Sequence, residues 1–429
     1  MDNLLSLLKL LLLLLICSAS ALALFPKESL PTKSGYLTVN SKTGSAIFYT
    51  FYEAQNASLS LSESQTVPIL IWLQGGPGCS SMLANFFELG PWLLHQDLSL
   101  YSNPNSWNTI FGLLFLDNPI GTGFSIAASP QEIPRNQYDV AKHLFTAIQT
   151  FIALDKSFQT RPIYLTGESY AGKYLPALGS YIIKMNNAHL PRLNLRGVSI
   201  GNGLTDPEIQ VQNHAVVSYN LGLINEKQMI FLKKLQSEAV GFVKIGEWNE
   251  AANARTKVLN TLTNMTGLAT LYDFRRLTPY PNRVVVKFLN NADVKKALGV
   301  KESMVFELCS AAVADALHDD VMKSVKPMFE FLIKNTRVLL YQGQCDLRDG
   351  VVSTSDWVKT IKWEEMGKFL DVERKIWRVD GNLAGYVQKW KNLSNVVVLN
   401  AGHLVPTDQP LNSQVMIQDW LLERGLFAP

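Results

Sequence analysis

Charge is scarce and evenly split in this chain: 17% of its 429 residues are Asp, Glu, Lys or Arg, with 39 basic against 36 acidic. No dense basic run stands out, so charge gives no argument for nucleic acid or an anionic membrane surface as a partner. The 47% hydrophobic fraction excludes a disordered chain and implies a substantial core. Cysteine is rarer still, with four residues and no Cys-x-x-Cys, and His-Glu-x-x-His is missing too. No metal is expected on those grounds. The lysine of a phosphate-binding loop and the G-x-G-x-x-G spacing of a dinucleotide site are also absent, and no cofactor is expected. There is no internal repeat and no low-complexity linker.

Long hydrophobic runs are limited to one. From Leu4 to Ile16 the chain is apolar apart from Ser6 and Lys9, and small residues follow through Ala23. That run is shorter than the roughly 20 residues needed to span a bilayer, and it ends in an Ala-Leu-Ala step. Residues 1–23 read as a secretory signal peptide cleaved near Ala23, leaving a product with no membrane span. The expected destination is the secretory pathway, ending outside the cell or in a vacuole. Asn56-Ala-Ser58, Asn264-Met-Thr266 and Asn392-Leu-Ser394 then become candidate glycosylation sites. Cys17 leaves with the leader. Cys79, Cys309 and Cys345 allow one disulfide and one free thiol, and spacing does not choose the pair.

From residue 24 to about 205, strand-like and helix-like segments alternate. Ala46 to Tyr52 is aromatic and β-branched, and Val67–Leu73, Gly112–Leu116, Ile163–Thr166 and Val198–Ile200 are short apolar runs. Tyr138 to Leu154 carries apolar residues at helical spacing. Such alternation predicts a mostly parallel sheet with helices on both faces. Residues 206–306 are richer in helix formers and charge, as at Glu226 to Ala239. Strand signals return at Val338–Gln342 and Asn395–Asn400, within residues 307–429. A helical cap inserted into an α/β core accounts for this order.

Gly167-Glu168-Ser169-Tyr170-Ala171-Gly172 follows a predicted strand and opens a helix, the setting of a nucleophile elbow. Small neighbours let the backbone turn sharply enough to expose the serine hydroxyl. Pro176 predicts that the following helix is kinked or starts late. A serine needs a base at neutral pH. Of His95, His143, His189, His214, His318 and His403, only His403 lies in a Gly-containing loop directly after a strand. An acid must orient that base, and Asp346 follows the Val338–Gln342 strand, with Asp349 and Asp356 as competitors. A second glycine loop, Trp72-Leu73-Gln74-Gly75-Gly76-Pro77-Gly78-Cys79-Ser80-Ser81, also follows a strand. Its N–H groups, with that of Tyr170, suit an oxyanion hole; one such donor is typically worth about 3–4 kcal/mol in catalysis.

Taken together, these motifs resemble the serine carboxypeptidase family, particularly its plant serine carboxypeptidase-like members. The resemblance extends to residues 30–36, Asn103-Pro-Asn-Ser-Trp-Asn108, Phe115 to Ser125, Ile200-Gly-Asn-Gly203, residues 291–298, Gly385-Tyr386 and Asn400 to Pro410. Residues 206–289 match least. The resemblance implies an α/β-hydrolase fold, with Ser169 as nucleophile, His403 as base and Asp346 as orienting acid. It implies Gly76 and Tyr170 as oxyanion donors. It also implies that Gln74, Gly75 and Glu168 grip the C-terminal carboxylate of a peptide or protein substrate. Glu168 can do so only if one of the two carboxyl groups carries a proton. By the same resemblance Cys79 pairs with Cys309, leaving Cys345 free.

Two positions depart from the family pattern. Gln74 stands where Asn is usual, and its extra methylene shifts the grip by about 1 Å, a displacement that can cost about 10²-fold. Gln344 stands where many members have an acid. Three functions follow: a carboxypeptidase working through an acyl-enzyme, an acyltransferase that intercepts that intermediate, and a binding protein on an inactive scaffold. Glu168 and Ala171 around the nucleophile favour the first over the second, and the filled triad positions disfavour the third.

Overall fold

The computed structural model describes residues 25–56, 66–188 and 192–429. The expected leader lies outside the described residues, as do His189 and Ser58 of the first sequon. The strands are β1 (Lys33–Asn40), β2 (Ser45–Tyr52), β3 (Ile69–Leu73), β4 (Trp92–Leu94), β5 (Leu100–Ser102) and β6 (Gly112–Leu116). They continue with β7 (Ile163–Glu168), β8 (Leu195–Gly201), β9 (Arg337–Gly343), β10 (Lys375–Val379), β11 (Asn382–Trp390) and β12 (Leu393–Val398). Ten of them form one sheet in the order β1-β2-β6-β3-β7-β8-β9-β12-β11-β10, and β4 and β5 pair separately. The ladders from β6 to β12 are parallel, and those at either end are antiparallel. The mostly parallel α/β architecture expected from the alternation is the one observed.

The central strands are apolar throughout because both faces are covered. Every residue of β3, β6, β7 and β12 is buried. On β3, Ile69, Ile71 and Leu73 belong to one buried cluster that also takes in Val140, Leu144 and Ile148 of the helix Gln137–Ala153. Leu70 and Trp72 point the other way, toward Phe86, Trp107 and Phe115. Burying a side chain of this size contributes about 1.5–3 kcal/mol, so register here is strongly held.

Between β8 and β9 the described chain contains helices and no strand. Glu226–Ile245 begins with a reciprocal cap in which Asn225 and Gln228 bond one another's backbone, and it ends at Gly246 with φ +77°. It packs on Trp248–Thr266 through Leu232, Leu235, Val258 and Leu262, a cluster of its own that also takes in Met322 and Leu347. Arg283–Leu289 packs elsewhere: Phe288 meets Phe25 and Phe86 at ring separations of 5.6 and 5.2 Å, on the sheet side. No helix among the described residues is long and apolar enough to cross a membrane.

Candidate active site

Because β3, β7, β8, β9 and β12 are parallel neighbours, the loops at their carboxyl ends gather at one edge of the sheet. Ser169 follows β7 with φ +63°, a left-handed conformation that serine adopts at a cost. The surroundings enforce it. A Cβ on Gly167 would lie 2.2 Å from the Leu73 carbonyl oxygen, and one on Gly172 would lie 2.6 Å from the Leu204 nitrogen. Alanine fits at 171 because Gly167 presents no side chain to its methyl.

The helix that follows starts at Ala171, not late, and carries Pro176 inside it. Proline removes the N–H that would have bonded the carbonyl four residues earlier, that of Gly172. Thr205 Oγ1 donates to that oxygen at 3.1 Å instead.

His403 lies beyond β12 and Asp346 beyond β9. Their side chains meet, with His403 Nδ1 2.7 Å from Asp346 Oδ2. Asp346 also accepts from Asn202 Nδ2 at 2.7 Å and from the Arg348 and Asp349 N–H groups at 2.7 and 3.3 Å. The competing acids are engaged elsewhere. Asp349 faces Arg255, and Asp356 pairs with Lys359 at 3.0 Å. Asn202 follows β8, which is how it reaches the acid. Tyr272 lies flat on the His403 ring, with centroids 4.5 Å apart and planes 14° apart. His403 Nε2 is buried and has no protein partner, and Ser169 Oγ is not bonded to it. Catalytic hydrogen bonds of this kind are often long before substrate arrives.

The glycine loop sits against the elbow so closely that a Cβ on Gly75 would be 2.5 Å from the Tyr170 nitrogen. Among the described residues, neither the Gly76 nor the Tyr170 N–H donates to a backbone carbonyl. Asp117 anchors the loop's far end. It accepts from Ser80 Oγ at 2.5 Å, and from the Ser81 and Phe124 N–H groups at 3.0 Å. Burial pushes Asp117 up to about 6, against the pull of those bonds. Cys79, in the same loop, is disulfide-bonded to Cys309, and Cys345 is a free, buried thiol.

Gln74 and Glu168 are both buried, and Gln74 Nε2 donates to Glu168 Oε1 at 2.7 Å. Trp72 Nε1 fixes the other end of the Gln74 amide by donating to Oε1 at 2.8 Å. A third residue, unmarked by any motif, completes the group. Glu88, 1% exposed, follows the helix Met82–Phe87 and lies against Glu168. Burial holds both carboxyl groups well above the usual range; the charge of Glu88 raises Glu168 further, and that of Asp408 raises Glu88. Neither Glu88 oxygen nor Glu168 Oε2 has a donor among the described residues.

Elsewhere, His214 is buried beneath the acid loop. Its Nδ1 is 3.1 Å from the Leu347 carbonyl, and burial pushes it down to about 4. Asn264 is exposed near the end of its helix, whereas Asn392 is half-buried and donates to the Ile333 carbonyl at 2.9 Å. No group of His, Cys, Asp or Glu among the described residues is placed to hold a metal ion.

The serine carboxypeptidase family model matches residues 25–423. The chain is 55% identical to serine carboxypeptidase-like 50 of Arabidopsis thaliana, covering 94% of this chain and 90% of that one. It is 32% identical to the human probable serine carboxypeptidase CPVL, covering 94% and 85%. Among solved structures, the yeast prohormone-processing carboxypeptidase Kex1 superposes with a TM-score of 0.79 at 25% identity, covering 90% of each chain. The match is continuous from the first described residue to the last helix, and on it the chain belongs to the serine carboxypeptidase family.

Proposed function

We propose that this serine carboxypeptidase enters the secretory pathway and releases single amino acids from peptide C-termini through an acyl-enzyme on Ser169. The observation that carries the reading is the buried Gln74–Glu168–Glu88 group immediately before the nucleophile. A proton held between two carboxyl groups gives the site a donor for a substrate carboxylate. That favours a free C-terminus over an internal peptide bond.

In this reading the substrate carboxylate takes hydrogen bonds from Gln74, the Gly75 N–H and the protonated acid pair. The scissile carbonyl then sits over Ser169 with its oxygen toward the Gly76 and Tyr170 N–H groups. Ser169 Oγ attacks, and His403 Nε2 takes its proton. The C–N bond breaks as His403 returns that proton to the leaving amine. Asp346 keeps the imidazole in the tautomer that leaves Nε2 free to accept, and Asn202 holds Asp346 in place. Water repeats the cycle on the ester.

The test is release of terminal amino acids from N-blocked dipeptides between mild acid and neutral pH, with Ser169→Ala in parallel. Release by the native protein alone supports the reading. Acyl transfer from esters without any amino-acid release would replace it with the transferase, and folded protein inert toward both would leave the binding scaffold.

A further inference from the structure

Ser169, Gly76 and Tyr170 form one wall of a cavity of about 170 Å³ whose far side the steps above leave unused. Leu204, Ala252 and Val321 give it apolar walls, and Arg255, Arg348 and Asp349 also line it. Asp349 is the one carboxylate in the lining against two guanidinium groups, 3.6 Å from Arg255 and 4.0 Å from Arg348, both beyond hydrogen-bonding distance; Asp346 also acts on Arg348 but is engaged by His403 and Asn202. Among the described residues neither guanidinium donates a hydrogen bond to a protein acceptor. Arg348 lies over the Tyr272 ring at 5.3 Å, which fixes its plane without satisfying its N–H groups. His318 adds no negative charge at the rim.

A guanidinium carries five donors, and here they have no protein acceptor among the described residues, which leaves them available to a ligand in the cavity. Arg255 has only 7% of its side chain exposed. A carboxylate entering the cavity accepts from both arginines, two N–H groups at a time where the planes align.

We infer that this cavity is a subsite for an acidic side chain, Asp or Glu, on the residue preceding the one released. The inference rests on the carboxypeptidase reading for its geometry. With the terminal carboxylate at Gln74 and Glu168, neither of which lines the cavity, the scissile carbonyl at Ser169 turns the penultimate side chain toward Arg255 and Arg348. The methylenes of a glutamate lie along Leu204 and Val321, and its carboxylate reaches the arginines.

Two measurements test this. The first compares kcat/KM for N-blocked dipeptides sharing a terminal Phe and differing in the penultimate residue: Glu, Gln, Leu or Lys. Glu should exceed its neutral isostere Gln by at least about tenfold, with Lys last. Arg348→Gln should bring the Glu-to-Gln ratio close to one, and Arg255→Met is the second variant. The second measurement is calorimetric binding of N-blocked glutamate and N-blocked glutamine to the Ser169→Ala protein, which reads the subsite without chemistry. Tighter binding of the glutamate, lost in the Arg348→Gln background, supports the subsite even if no dipeptide is cleaved; that pattern would retire the carboxypeptidase reading alone. Cleavage that favours Leu or Lys, with a Glu-to-Gln ratio untouched by Arg348→Gln, overturns the subsite and leaves the carboxypeptidase standing.

Discussion

The two flanks of Ser169 are made of different material. On one side, Gln74, Gly75 and Glu168 sit on β3 and β7 or at their ends, and backbone contacts hold them; Gly75 and Gly167 have no room for a methyl group. On the other, Arg255 comes from a helix outside the sheet, Arg348 from the acid loop and Tyr272 from an irregular segment. The first flank is set by where the backbone must go, the second by which side chains project into an open space. A change of residue on the first flank moves the backbone or strands a buried polar group. On the second, a change at Arg255 alters what the cavity accepts and leaves the sheet edge alone, while Arg348 and Tyr272 also touch Asp346 and His403. The carboxylate grip and the reacting serine are thus constrained together, and preference for the penultimate residue is free to vary.

The strongest way to break this comparison is at the serine both flanks share. Ser169→Ala should lower kcat by about 10⁶-fold for every dipeptide, measured as initial rates with thermal unfolding unchanged. A residual rate that depends on the penultimate residue would mean that another nucleophile serves one flank. Asp346→Asn should cost about 10⁴-fold by favouring the wrong imidazole tautomer, and equally for Glu and Leu substrates. An unequal loss would show that the acid loop also sets specificity, through Arg348.

Next comes the disulfide, which ties the glycine loop to a residue 230 positions away. Cys79→Ser should lower stability by about 2–4 kcal/mol in denaturant titrations. Activity should fall on all substrates alike, because the Gly76 N–H would serve the oxyanion of every substrate.

The smallest effect is a pH dependence. Glu88 and Glu168 are raised in the folded protein, so the proton they hold favours folding and carboxylate binding in mild acid. Both contributions fade as pH climbs through the raised values, where the pair must ionise in a buried site. The kcat/KM of the native protein should therefore decline by about tenfold toward and above neutral pH. Glu168→Gln should flatten that decline, while the Glu-to-Gln preference at the penultimate position stays the same. A native profile rising steadily from pH 5 to pH 8 would sink the protonated-pair account.

What the sequence made legible follows the same division. Buried strands such as β3, β6 and β7 are recognisable as apolar runs, and the glycine loops mark themselves because crowded backbone tolerates few residue types. Edge strands are harder to see: β10, Lys375-Ile-Trp-Arg-Val379, exposes Ile376 to 61% along with both its charged residues and buries Trp377 and Val379. Glu88, Tyr272 and Arg255 carried no local signal, since nothing in their neighbours' spacing places them beside Ser169 or His403; Asn202 lay in a recognised motif, Ile200-Gly-Asn-Gly203, whose role toward Asp346 the motif did not show. Glu88 follows a short helix whose Met82 and Phe86 share a buried cluster with Leu70 and Trp72 of β3. Pro176 misled in part, for its penalty is met by a hydroxyl 29 positions ahead in the chain, out of view of any local rule.

The short stretch 271–274, where the chain leaves the helix Trp248–Thr266, has a consequence for modularity. The Leu347 N–H bonds the Leu271 carbonyl, the Phe274 N–H bonds the Cys345 carbonyl, and the His403 N–H bonds the Tyr272 carbonyl at 2.7 Å. One strap of four residues thus stitches the acid loop to the base loop through main-chain atoms. A helical block swapped in from a relative, or trimmed away to enlarge the entrance, would cut that strap unless 271–274 stayed behind. Those four residues belong to the catalytic floor, whatever is done to the helices before them.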